Sequence, residues 1–83
     1  PDGIALVDGV TKTLIDAVSY EGAMTSVSLA GFAAPVSLVE GTATTAADNA
    51  STASLCRRAN QDTNSAAADW MMCATSTPGA ANP

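Results

Sequence analysis

Both cysteines and the only tryptophan of this 83-residue chain fall within one stretch, Leu55-Cys56-Arg57-Arg58 through Asp69-Trp70-Met71-Met72-Cys73. Two short apolar runs, each carrying one thiol, flank the polar segment Ala59-Asn60-Gln61-Asp62-Thr63-Asn64-Ser65 and an alanine run. Runs bounded by turn residues in this way read as neighbouring strands. A Cys56–Cys73 disulfide would staple them, with Trp70 covering the bond. Closing a loop of this size adds roughly 3 kcal/mol on a chain-entropy estimate, against a total stability of about 5 kcal/mol at the low end for small domains. Such bridges belong to oxidising compartments, so the expected location is extracellular or at the cell surface.

The staple matters because the core is thin. Of the 39 apolar residues, 18 are alanine and three are aromatic, which leaves about two dozen large apolar side chains at most. A chain this short buries only about 60% of the surface that its unfolded form exposes. That supply suits one domain of two thin layers spanning residues 1–83.

Several function classes are disfavoured by composition. Net charge is −5, with Lys12, Arg57 and Arg58 the only bases, whereas nucleic-acid binding draws on clustered Lys and Arg. No apolar run approaches the 18 or so residues of a membrane span. The chain has no histidine, which removes the usual general base and the commonest metal ligand. Two cysteines without further Cys or His cannot close a zinc tetrahedron. A cysteine nucleophile would need a base beside it, so a bridge is expected rather than free thiols. No catalytic residue and no cofactor is assigned.

Along the chain, Ile4-Ala5-Leu6-Val7 is a strand between the turn signals Asp2-Gly3 and Asp8-Gly9, and the second of these opens a hairpin. Thr13–Tyr20 is the second strand, with Leu14, Val18 and Tyr20 on one face and Ile15 and Ala17 on the other, as expected of a central strand. Asp16 is its misfit, and Arg57 is the candidate partner for its carboxylate. Met24–Leu29 is a strand or an extended loop. Val36–Gly41, after Pro35, is expected to be a short edge strand. Thr42–Thr52 has no large apolar residue and is expected to be a mobile surface loop. Ser54–Arg57 resumes as a strand, Ser65 caps a helical turn through Trp70, and Trp70–Ala74 is a further strand. Pro78-Gly79 ends the domain. The expected core residues are Leu55, Trp70, Val18 and Tyr20.

Three weaker constellations each have a plain alternative. Asp62, Asn64 and Asp69 place oxygen ligands around one loop and are weak calcium candidates, although such side chains more often close turns onto their own backbone. Asn49-Ala50-Ser51 is a glycosylation sequon, relevant only in a eukaryotic secretory route. Asp16 and Glu21 lie too simply, on one strand and its exit turn, to suggest a catalytic carboxylate pair.

Taken in order, Asp2-Gly3-Ile4-Ala5-Leu6-Val7-Asp8, Ile15-Asp16-Ala17-Val18-Ser19-Tyr20-Glu21-Gly22, Ser54-Leu55-Cys56-Arg57, Asp62-Thr63, Asp69-Trp70 and Thr77-Pro78-Gly79-Ala80-Ala81-Asn82 resemble the bacterial lamin-tail domains. The resemblance covers most of the chain. It implies an all-β fold, an immunoglobulin-like β-sandwich, with core strands around Leu55 and Trp70 joined by the Asp62-Thr63 loop. Such domains usually open with strands carrying an Asn-Glu and then a Glu-Leu-Tyr-Asn type segment, and neither is found here. The chain resembles the C-terminal two-thirds of one, a sandwich incomplete at its N-terminus. The missing strands are then expected from another chain, a cleaved N-terminal piece or a swapped copy, so a protein partner or a homo-oligomer is implied. Between Ala23 and Thr52 the pattern fades. Bacterial members look like accessory modules of secreted nucleases, phosphatases and surface proteins, while animal members sit in nuclear lamins and bind DNA and proteins. The resemblance therefore implies a non-catalytic attachment module, or alternatively an accessory fragment of a larger secreted nuclease or phosphatase. The DNA role transfers poorly to so acidic a chain.

Overall fold

The computed structural model describes residues 1–49 and 52–83, so the sequon's Ala50 and Ser51 lie outside the described residues. Four strands form two separate antiparallel pairs: β1 (Asp2–Asp8) with β2 (Thr13–Tyr20), and β3 (Ser54–Arg57) with β4 (Trp70–Cys73). The helical turn α1 (Ala66–Asp69) leads into β4. The fold is β-rich with almost no helix, as expected.

The β1–β2 connection is set by Asp8. Its Oδ1 accepts the Val10 and Thr11 amides at 2.9 and 3.0 Å, and its carbonyl accepts the Lys12 amide at 2.9 Å. Those two amides hold the Asp8 carboxyl below its usual pKa, Thr11 contributing most. Pairing runs from Asp2 opposite Tyr20 to Leu6 opposite Asp16, then shifts so that Val7 faces Leu14. Ile15 is the extra residue of this bulge and is 61% exposed.

β2 is not a central strand in the pairing sense, because β1 is its only partner strand among the described residues. Its other edge is covered by non-strand groups. The Ala17 amide donates to Glu40 Oε1 at 3.0 Å and the Glu21 amide to the Ala46 carbonyl at 3.1 Å. Ala17, Val18 and Ser19 are consequently buried. The segment after β2 folds over one face of the hairpin: a Cβ on Gly3 would stand 2.8 Å from Leu38 Cδ1 and 3.1 Å from Met24 Sδ. Only a glycine permits that approach without displacement.

Residues 36–41 form no strand. Val36 makes a single reciprocal bridge with Val27, at 2.8 and 2.9 Å, followed by one bond from the Leu38 amide to the Met24 carbonyl at 2.9 Å, too little for a ladder. Pro35 has no amide to donate, and the Ser37 hydroxyl takes the Val39 amide at 3.1 Å, so a local side-chain bond displaces a ladder. The 42–49 segment is not simply a surface loop either. Thr44 and Ala46 are buried, and the Thr44 hydroxyl donates to the Trp70 carbonyl at 3.2 Å, tying the segment to β4. Small side chains fit this narrow gap where larger ones would not.

Ser65 occupies the cap position of α1, but its hydroxyl makes no capping bond. Carbonyls of Glu40 and Thr42 accept the Ala66 and Ala67 amides instead, at 2.8 and 2.9 Å. Helix-end donors need a partner of some kind, and here the tertiary fold supplies it. Of the expected core residues, Val18 is buried, while Leu55, Trp70 and Tyr20 are only half-buried. A core whose large buried side chains are Val18 and Leu38 among the described residues is a thin one.

Candidate functional site

The disulfide Cys56–Cys73 is present, both residues buried, with Cα atoms 6.0 Å apart. Register explains the geometry: Cys56 faces Met71 and Cys73 faces Ser54, so the bonded pair is a diagonal on one face of the β3–β4 ribbon. Because side chains alternate between faces along a strand, Trp70 and Arg57 stand on the opposite face. Trp70 therefore does not cover the bond. It packs instead beneath the Arg57 guanidinium, whose carbon lies 5.0 Å from the ring centroid.

That guanidinium joins the two hairpins. Arg57 Nη2 donates to Asp16 Oδ2 at 2.6 Å, and Nη1 lies 3.7 Å from Asp62 Oδ2. Arg57 Nε is buried without a partner among the described residues. The sequence pointed to Asp16 and Arg57 but missed Glu40, which lies beside Asp16 across 23 residues of chain where no periodic pattern signals proximity. Burial raises Asp16, yet its hydrogen bond with Glu40 and the Arg57 charge outweigh this and hold the carboxyl below its usual pKa. Glu40 moves the other way, pushed up by burial and then by the shared hydrogen bond.

The loop proposed for calcium is closed by its own groups. Asp69 is 2% exposed and accepts the Thr63 amide at 2.8 Å, the Thr63 hydroxyl at 2.7 Å and Gln61 Nε2 at 3.2 Å. Burial raises its pKa, but the Thr63 hydroxyl and amide with the other donors bring it below the usual value. Asp62 and Asn64 are exposed, and Asp62 Oδ1 accepts the Asn64 amide at 3.3 Å, a turn onto its own backbone. No group of three or more His, Cys, Asp or Glu placed to hold a metal ion gathers among the described residues.

What the chain presents to solvent is the β1–β2 hairpin. Ile4 and Leu6 are 61% and 59% exposed, and Val10 at the turn is 91% exposed. Ile4, Leu6, Asp16, Ala17, Val18 and Trp70 line a cavity of about 110 Å³ between the hairpins. A set of apolar side chains left open on one element is the surface feature that calls for explanation. Among the described residues no helix is long and apolar enough to cross a membrane. Compared with known proteins, the chain matches no family model, no curated protein and no solved structure.

Proposed function

We propose that this chain is a non-catalytic binding or attachment module of lamin-tail type, working outside the cell or on its surface, with an immunoglobulin-like sandwich as its scaffold. The observation that carries this reading is the exposed apolar hairpin, Ile4, Leu6 and Val10, on a chain that otherwise has little apolar surface to spare. A domain with so thin a core gains stability by burying these side chains, and leaving them open makes sense when a partner covers them. The disulfide is compatible with an oxidising, extracellular setting. The absence of histidine from the chain supports a binding role over hydrolysis.

The test compares retention of the purified chain and of an Ile4→Ser, Leu6→Ser double variant on the surface of the cells that produce it, with nuclease and phosphatase assays alongside. Retention of the wild type, loss in the variant and no hydrolysis are expected. Equal retention of both, or hydrolysis by the purified chain, would overturn the proposal.

A further inference from the structure

The free edge of β1 carries a defined set of unpaired groups. In an antiparallel pair, hydrogen-bonded and non-hydrogen-bonded residue pairs alternate. The Ala17 amide donates to the side chains of Asp16 and Glu40, not across to β1, so Ala5–Ala17 is a non-hydrogen-bonded pair. By the same alternation Gly3–Ser19 is another. Gly3 and Ala5 therefore turn their amides and carbonyls outward, and no strand meets them among the described residues. Beyond Leu6 the bulge bends the strand, which leaves Asp2–Leu6 as the length available for pairing.

Protein edges are commonly protected by lysine, proline or a covering loop. Residues 2–6 contain neither lysine nor proline, and their side chains Ile4 and Leu6 border the cavity closed on its far side by Trp70. A strand laid against this edge would extend the Ile4–Leu6 face and could set one apolar side chain over that cavity. Backbone bonds of this kind supply affinity and alternate side-chain pockets supply selectivity.

Charge selects the occupant. β1 begins and ends with aspartate, and the three bases of the chain are elsewhere: Lys12 lies against Gly31, Arg57 pairs with Asp16, and Arg58 donates to the Ala68 carbonyl. Near Asp2, burial and then the charges of Asp2, Asp48 and Glu21 push the Tyr20 hydroxyl above its usual pKa. A second copy would bring another acidic strand and a net charge of −5 to this edge, so like-charge repulsion between the chains opposes self-pairing.

We propose that the β1 edge receives an extended peptide segment of a partner protein, apolar at alternate positions and basic at the end beside Asp2, as a third strand bonded to Gly3 and Ala5. This rests on the binding-module reading and gives its partner a chemistry. The probe is a seven-residue peptide of alternating Val and Thr with lysine at each end, compared with the same peptide ended by glutamate. At saturation, amide exchange at Gly3 and Ala5 should slow by about tenfold or more, as for newly paired strand amides. The glutamate-ended peptide should bind about tenfold more weakly at low salt, with the gap closing as salt screens the ends. Ala5→Pro removes one outward donor at a position where an edge strand tolerates proline, and should abolish binding. Asp2→Lys, an exposed change that leaves the ladder intact, should reverse the preference between the two peptides. Unchanged exchange at Gly3 and Ala5, equal affinity for both peptides, or protection produced by self-association alone would overturn the edge proposal. Cell-surface retention that survives Ala5→Pro but is lost in the Ile4→Ser, Leu6→Ser variant would overturn the edge while leaving the binding module standing.

Discussion

Arg57 on β3 and Asp16 on β2, 41 positions apart in the chain, meet at 2.6 Å and so fasten one hairpin to the other. The contact is half-shielded: the two side chains are 21% and 27% exposed, and Trp70 lies under the guanidinium. Neither hairpin alone has the strands for independent stability. The pair therefore acts where the two hairpins meet.

Arg57→Ala should destabilise the fold by about 1–3 kcal/mol, because it leaves the Asp16 carboxylate without its cation and uncovers the Trp70 ring. Asp16→Asn should cost less, since the amide can still accept the Ala17 amide. Urea unfolding of the two single variants and the double variant should give a coupling of about 1 kcal/mol. A coupling of zero would mean that the pair does not join the hairpins energetically.

Acid should unfold the protein. Asp8, Asp16 and Asp69 all have folded-state pKa values below the ordinary aspartate value of 3.8. Their stabilisation is complete above 3.8 and is lost as pH falls through the lower folded values, because the unfolded chain takes up protons first. Glu40 has the opposite sign: its raised pKa makes the folded state hold a proton longer, so stability declines as pH rises from 4.5 through the folded value. Glu40→Gln should remove that decline while keeping the acid limb. Thermal midpoints between pH 2 and 7 for both proteins check this.

Asp69→Ala should lower the thermal midpoint more than Asp62→Ala does. The first leaves the Thr63 amide and hydroxyl without their acceptor inside the fold, whereas Asp62 is exposed and only closes a turn. Calcium should move neither midpoint, since both Asp69 oxygens already serve protein donors.

Non-reducing mass spectrometry should find the chain two hydrogens lighter than its thiol form. Reduction, or the Cys56→Ser, Cys73→Ser double variant, should lower stability by roughly 3 kcal/mol in urea unfolding. Alkylation of both thiols without reductant would show the bridge to be absent in solution.

The strands were legible wherever a short window held both a pattern and its punctuation. Thr13–Tyr20 and Ser54–Arg57 begin and end where turn residues and apolar residues mark them, and β1 extends only slightly past Ile4–Val7. Asp16 was also legible, since a carboxylate on an apolar face needs a cation and the chain offers only three. The segment from 23 to 47 was not. Alanine, serine and threonine carry no periodic apolar signal, and whether Thr44 or Ala46 is buried depends on what arrives from the other end of the chain.

By itself, then, the sequence determined the four strands, the helical turn and the cysteine pair, because backbone preference, turn chemistry and the count of thiols act over a few residues. Tertiary structure decided that Trp70 faces the arginine and not the disulfide, that Glu40 reaches the Ala17 amide beside Asp16, and that Leu38 and Met24 close over Gly3. Those outcomes follow from which face of one ribbon meets which face of the other. Side-chain alternation makes that choice all-or-none, and only the register and packing of the assembled chain can make it.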